Sequence, residues 1–211
     1  MWDERFDTED YVYGRKPNNF LTEQANKIPK GRVLSLAEGE GRNAVYLAGL
    51  GYEVTALDAS KVGLKKTQKL AKESGVRVHT LHTDIAHYVI EPQSWQGIIA
   101  IYCHLPSDLR RRIHREIVAG LAPGGVYIME SFSKDQLRYG TGGPREPDRL
   151  VDIEMMKREL QGLKFQHALK TERHLDEGEH HSGLASLVQV VGVKVQSLNV
   201  ETSKMIIRPD I

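Results

Sequence analysis

Cysteine is almost missing from this chain. Cys103 stands alone among 211 residues, so an internal disulfide cannot form and a reducing compartment is expected. A surplus of charge is missing too. The 29 Lys and Arg residues against 28 Asp and Glu leave no bulk field to draw the protein to nucleic acid or to a membrane surface. No run comes near the roughly 20 apolar residues of a membrane span. The first ten residues, "MWDERFDTED", are acidic and lack the apolar centre of a signal peptide. Repeats and low-complexity segments are also lacking. These absences lead to the expectation of a soluble cytoplasmic protein, monomer or homodimer, with neither membrane nor nucleic-acid partner.

What is present is alternation. The apolar runs "GRVLSLA", "YEVTALD", "VRVHTLHTD", "WQGIIAIYCHLP" and "VYIMESF" predict strands. Between them "GRNAVYLAGLG", "SKVGLKKTQKLAKESG" and "SDLRRRIHREIVAGLAPGG" predict helices, with Ser60 and Ser107 as N-caps and Gly75 as a stop. Single helices between strands require crossovers, hence a mostly parallel, doubly wound α/β sheet. The last third differs. After a helix over "DIEMMKREL", the strands "KFQHALKTERHL" and "GLASLVQVVGVK" flank "DEGEHHSG", which predicts an antiparallel hairpin on the sheet edge. "RRRIHRE" reads as the solvated face of a helix whose Ile113 and Ile117 point inward. One domain is expected over residues 1–194, its first 30 residues an arm or lid, with residues 195–211 a tail.

The stretch "AEGEGRNA" joins the first strand to the first helix, the place where open α/β sheets bind ligands. Gly39 and Gly41 permit a sharp turn and close approach, and the helix from Arg42 and Asn43 offers amides to an anionic group such as a carboxylate. A dinucleotide fingerprint would need glycine at Ala37 and Arg42, which disfavours nicotinamide and flavin dinucleotides. Asp58, closing the second strand, can accept both hydroxyls of a ribose, or else cap the following helix. Asp84 can accept the amine of an adenine flanked by Ile85, or close an Asx turn.

In order, "VLSLAEGEGRNAVYLA", "VTALDAS", "HTDIAHY", "IIAIYCHLP" and "LAPGGVYIMESF" resemble the motifs of class I S-adenosylmethionine-dependent methyltransferases. Within that superfamily the chain is similar to the small tellurite-resistance-like enzymes over residues 5–194. The resemblance implies a Rossmann-like seven-stranded sheet with a C-terminal antiparallel hairpin, and methyl transfer from S-adenosylmethionine to a small-molecule acceptor such as a thiol or a chalcogen oxyanion. It further implies that Ser35, Ala37, Glu38, Gly39 and Gly41 contact the methionine end, Asp58 and Ala59 the ribose and adenine, Asp84 and Ile85 the adenine edge. Tyr102 would lie beside the cofactor. Two positions depart from the family: Ser35 replaces an acid and Ala37 a glycine. The exchange weakens cofactor binding unless Glu38 or Glu40 compensates, and the Ala37 methyl is tolerated if its φ is negative. The departures also leave open a catalytically silent, cofactor-binding sensor or partner protein.

For the acceptor, sequence offers candidates rather than a triad. Tyr11 and Tyr13 in "DTEDYVYGRKPNNFL" are expected to shield the methyl group. His104 is expected to act as a base, to fix an oxyanion, or merely to pin a turn. The resemblance implies that a basic or histidine group of the hairpin region reaches an anionic acceptor, so His174 or His181 is expected to face the pocket with Arg173 helping, the alternatives being a hairpin tip or, less readily, a zinc site. Cys103 has no activating partner and is expected to be structural.

Overall fold

The computed structural model describes residues 2–178 and 181–195. Seven strands form one sheet: β1 (Arg32–Leu36), β2 (Glu53–Asp58), β3 (His79–His82), β4 (Trp95–Ile101), β5 (Leu121–Phe132), β6 (Leu163–Asp176) and β7 (Ser182–Lys194). Their order is β3-β2-β1-β4-β5-β7-β6. β1 to β5 run parallel, while β7 is antiparallel to both β5 and β6. The expected seven-stranded α/β sheet with its antiparallel hairpin is therefore what forms. The candidate tail falls outside the described residues apart from Val195.

Six α-helices cover the sheet: α1 (Trp2–Phe6), α2 (Asn19–Gln24), α3 (Arg42–Gly49), α4 (Lys61–Glu73), α5 (Ser107–Gly120) and α6 (Ile153–Glu159). Successive side chains of a strand point to opposite faces, so the central strands feed two cores. Leu34, Leu36 and Ile98 pack with Ile113 and Ile117 of α5 and Met156 of α6. Val33, Val54 and Ile99 pack with Leu21 of α2 and Ala44 and Leu47 of α3. The apolar runs of β1 and β4 are nearly continuous because both of their faces are covered.

Local signals explain the helix ends, with one correction. Ser60 caps α4 as expected, its hydroxyl accepting the Gly63 amide at 3.0 Å, and Gly75 follows the helix at φ +68°. Ser107, however, is the first residue of α5 and not its cap. Pro106 occupies the cap position and lacks an N–H, and the Ser107 amide is taken at 2.8 Å by Asp148, a carboxylate from a distant loop.

A second correction concerns the basic run of α5. Arg111 and Arg115 face solvent, but Arg110 and His114 are buried with Ile113 and Ile117. Glu159 of α6 accounts for this. Its carboxylate receives Arg110 through Nε at 3.1 Å and Nη2 at 3.1 Å, and pairs with His114 Nδ1 at 2.7 Å. Burying these charges is tolerable only as a matched group. Replacing Glu159 with Ala should therefore cost about 3–5 kcal/mol in urea unfolding, and Glu154→Ala, on the exposed side of the same helix, less than about 0.5 kcal/mol. Equal effects for the two would show that the buried group does not hold α5 to α6.

Candidate functional site

From β1 the chain runs outward through β2 and β3, then returns to place β4 on the other side of β1. The carboxyl ends of β1 and β4 thus part around a crevice, the position where this architecture binds ligands. The loop at residues 37–41 forms its floor. Ala37 sits there at φ +51°, in the left-handed region, so the condition of a negative angle for its methyl is not met. The loop turns sharply even without glycine at that position. Gly39 and Gly41 follow at φ +70° and +97°. A Cβ on Gly41 would lie 2.7 Å from Thr67 Cα, so this glycine is needed for packing against α4.

Glu38 overturns the expectation for the start of α3. Its Oε1 accepts the amides of Asn43 at 3.1 Å and Ala44 at 2.9 Å, while Oε2 receives the Ser35 hydroxyl. The amides of Asn43 and Ala44 at the start of α3 are therefore taken by the protein's own carboxyl group and not by a ligand's. The acid missing at Ser35 is supplied in space by Glu38, three residues on. Burial raises the Glu38 carboxyl to about 7, against the opposing pull of Ser35 and the helix amides.

Asp58 lies beside this loop and is buried. Oδ2 accepts the Gly39 amide at 2.8 Å and Oδ1 the Ser60 amide at 2.7 Å. It staples the glycine loop to the turn after β2 and does not cap α4, a task left to Ser60. Burial raises its pKa. Ala59 is exposed, its carbonyl 3.1 Å from His82 Nε2. Asp84 is exposed and closes an Asx turn onto the Ala86 amide at 2.8 Å, while Ile85 is buried in the core.

On the other side of the crevice stands a buried polar network that sequence reasoning missed. Glu130 of β5, without any solvent exposure, accepts from Asn18 Nδ2 at 2.7 Å, Tyr102 Oη at 2.9 Å, Arg173 Nη2 at 2.6 Å and Gln189 Nε2 at 2.6 Å. Glu177 accepts from Arg173 Nη2 at 2.7 Å and Arg42 Nη2 at 2.7 Å. Burial opposes ionisation of Glu177, but Arg42 and Arg173 hold its pKa below the usual value. Tyr102 adopts φ +55°, and burial, followed by the charges of Glu130 and Glu177, keeps its phenol protonated well above the ordinary range. Arg42 Nη1 and Arg173 Nε are buried and have no hydrogen-bond partner among the described residues.

Rings line the same space. His181 lies 4.4 Å from Tyr102, 4.7 Å from Tyr13 and 5.4 Å from Phe132, centroid to centroid. His104 stacks on Phe132 at 5.4 Å, its Nδ1 3.2 Å from Ser131 Oγ and its Nε2 buried without a hydrogen-bond partner among the described residues. Burial, with Arg149 adding to it, lowers the His104 pKa to about 3. Arg173 and His181 thus come together, but His174 does not join them. It follows Arg173 on β6, so strand alternation turns it to the exposed face. His180 lies outside the described residues, and among those described no cluster of three or more His, Cys, Asp or Glu is arranged to hold a metal ion. Burial drives the Cys103 thiol up to about 12, as befits a packing residue.

The amino-terminal segment crosses over this crevice as a strap. Asp3 accepts from Ser60 Oγ at 2.5 Å and from the Val62 amide at 3.1 Å, and the Phe6 ring lies where a Cβ on Gly39 would meet it at 3.2 Å. Lys66 holds the Asp10 carbonyl at 2.7 Å and Glu40 at 2.8 Å, and Glu40 also receives the Tyr13 amide. Tyr11 packs against α4, its hydroxyl on the Lys66 carbonyl, and not in the ring cluster with Tyr13.

The Glu38 assignment has a pH signature. Its folded pKa lies above the ordinary value near 4.5, so the unfolded chain loses this proton first and stability falls as pH rises from about 4.5 to 7. Glu38→Gln keeps an oxygen for the helix amides and abolishes that loss. In urea unfolding, the variant should gain up to about 3 kcal/mol on wild type between pH 4.5 and 7.5. Parallel curves would mean that Glu38 is not buried as described.

Comparisons with known proteins agree with this geometry. Residues 33–125 match the family model of a methyltransferase domain. The ubiquinone biosynthesis O-methyltransferase of Rickettsia felis is 27% identical over 125 residues, which are 58% of this chain and 50% of the relative. That of Rickettsia canadensis is 25% identical over 122 residues, 58% and 51% of the two chains. The chain thus spans about half the length of these curated relatives. Among solved structures, TehB from Haemophilus influenzae superposes with a TM-score of 0.70 at 17% identity, over 92% of this chain and 65% of that one. A protein from work on the conversion of a disulfide bond into a thioacetal group in echinomycin biosynthesis gives 0.73 at 15% identity, over 92% of both chains. Phosphoethanolamine N-methyltransferase 2 of Haemonchus contortus, solved with S-adenosyl-L-methionine, gives 0.64 at 16% identity, over 92% of this chain and 56% of that one. The chain thus matches the methyltransferase domain family over residues 33–125 and carries the fold of these structures around that segment.

Proposed function

We propose that this chain transfers a methyl group from S-adenosylmethionine to a small-molecule acceptor. The observation that carries the reading is the buried Asp58 carboxylate at the switch-point crevice, stapled to the glycine loop through Gly39. Each Asp58 oxygen spends one lone pair on a backbone amide and keeps another for a ribose hydroxyl. A pyrophosphate fits poorly, because Glu38 occupies the helix amides it would need. The matched methyltransferase domain and the S-adenosylmethionine bound by the Haemonchus enzyme support the same cofactor.

When bound, S-adenosylmethionine supplies an activated methyl on a sulfonium, so the protein's task is chiefly alignment. Tyr102, held by Glu130, and the neighbouring His181 and Phe132 form the wall against which the acceptor is oriented. The strap from Asp3 to Asn18 acts as the lid, with Tyr13 over the ring cluster, and excludes water when closed. His181 and Arg173 take the positioning roles considered for this hairpin. Of the two departures behind the silent-sensor alternative, Glu38 offsets the one at Ser35, while Ala37 keeps its left-handed angle.

Calorimetry tests the reading. Wild type should bind S-adenosylmethionine and its demethylated product but not NAD. Asp58→Asn should weaken both adenosyl compounds by about 10- to 100-fold, the worth of charge-assisted hydrogen bonds in a buried site. Undiminished affinity in that variant would remove the nucleoside from this crevice. Asp3→Ala frees the strap while Ser60 still caps α4, so release of the demethylated cofactor should quicken several-fold in stopped-flow fluorescence. An unchanged rate would refute the lid.

A further inference from the structure

The charge balance at the crevice wall says what kind of acceptor it can hold. Arg42 and Arg173 are the guanidinium groups of the Glu130–Glu177 network, and both are buried against carboxylates; Arg149, beside His104, has Glu146 at 4.0 Å. Arg173 Nη2 is shared between Glu130 at 2.6 Å and Glu177 at 2.7 Å, and Arg42 Nη2 meets the second Glu177 oxygen at 2.7 Å. Two positive charges thus meet two negative ones. The carboxylates cannot swing into water, because Glu130 is fully buried and Glu177 is 7% exposed. An anion entering here would keep two fixed like charges as neighbours and find no surplus positive charge in return. A cation would sit beside the sulfonium with no spare carboxylate at this wall to offset the second charge.

Compensated guanidinium groups nevertheless still offer N–H donors. Arg42 Nη1 and Arg173 Nε are buried and unpaired among the described residues, as is Nε2 of His104, whose imidazole burial keeps neutral. The remaining wall is made of the rings of Tyr13, Tyr102, Phe132 and His181. Such a surface supplies hydrogen bonds and apolar contact, and its two buried guanidinium charges are already matched by carboxylates.

We propose that the methyl acceptor is an uncharged hydroxyl or thiol on an apolar or aromatic body, and not an oxyanion. This deepens the methyltransferase reading and rests on it. In the step, an oxygen or sulfur lone pair forms a bond to the methyl carbon. The carbon–sulfonium bond breaks with its electron pair passing to sulfur, and the acceptor's proton is released to solvent. Glu177 and Glu130 act as specificity-determining residues by neutralising Arg42 and Arg173.

The test measures binding to the full chain with and without saturating demethylated cofactor, using catechol and benzyl mercaptan as neutral probes and selenite and benzoate as anionic ones. Wild type should bind a neutral probe at least about tenfold more tightly than either anion. Glu177→Gln leaves the two guanidinium groups with an uncompensated positive charge and should gain about tenfold or more in selenite affinity, with the gain erased by 0.5 M salt. Methyl release from labelled S-adenosylmethionine should follow the same neutral-over-anion order. Wild type binding selenite or benzoate as tightly as the neutral probes would overturn the proposal, as would a folded Glu177→Gln with no gain. Should Glu177→Gln fail to fold, the wild-type comparison decides alone. Failure of S-adenosylmethionine itself to bind would instead refute the cofactor reading, a separate result.

Discussion

A carboxylate sealed from water, Glu130, constrains the whole functional end of this molecule. Four donors converge on it from the amino-terminal strap, the end of β4, β6 and β7. A buried charge without such partners would cost several kcal/mol, so each of these segments is held where its donor can reach. Glu177 extends the same logic to α3 through Arg42. The antiparallel hairpin is therefore more than an edge on the sheet. It carries the arginine that balances the acid of β5, and so closes one wall of the crevice.

The glycine loop meets its own electrostatic problem in a second way. Glu38 closes the first turn of α3 with two amide bonds and receives the Ser35 hydroxyl. A helix amino terminus attracts negative charge, and here the chain supplies that charge itself. The crevice thus pairs a self-capped helix with a polar wall of matched charge. Its selectivity resides in hydrogen-bond donors and ring surfaces more than in a net field.

Much of the architecture was legible because it follows from periodicity. The runs of β1, β2 and β4 are apolar on both faces, and the alternating pattern of β6 declares a strand with one covered face. The position of Asp58 could be read from its place after "VTAL". What could not be read was the partner of each buried charge. Arg110 and His114 looked solvated because Glu159 lies 45 or more residues away in sequence. Glu130 could have been flagged as a lone acid inside "VYIMESF", but Glu177 was hidden among the other acids of "DEGEHHSG". The left-handed angle of Ala37 likewise leaves no mark in composition, since it is imposed by the loop around it.

The strap has a bearing on the order in which the molecule assembles. Asn18 reaches Glu177 across 159 residues of sequence, the longest closure described in the network. Contacts of such separation are entropically late, so the central parallel strands come together before the hairpin can offer its acids. Asn18 must wait for Glu177 until the hairpin is present, whereas Asp3, Asp10 and Tyr11 find their partners on α4 within 60 residues of sequence. The strap can thus be moored at α4 first and completed last, at Asn18.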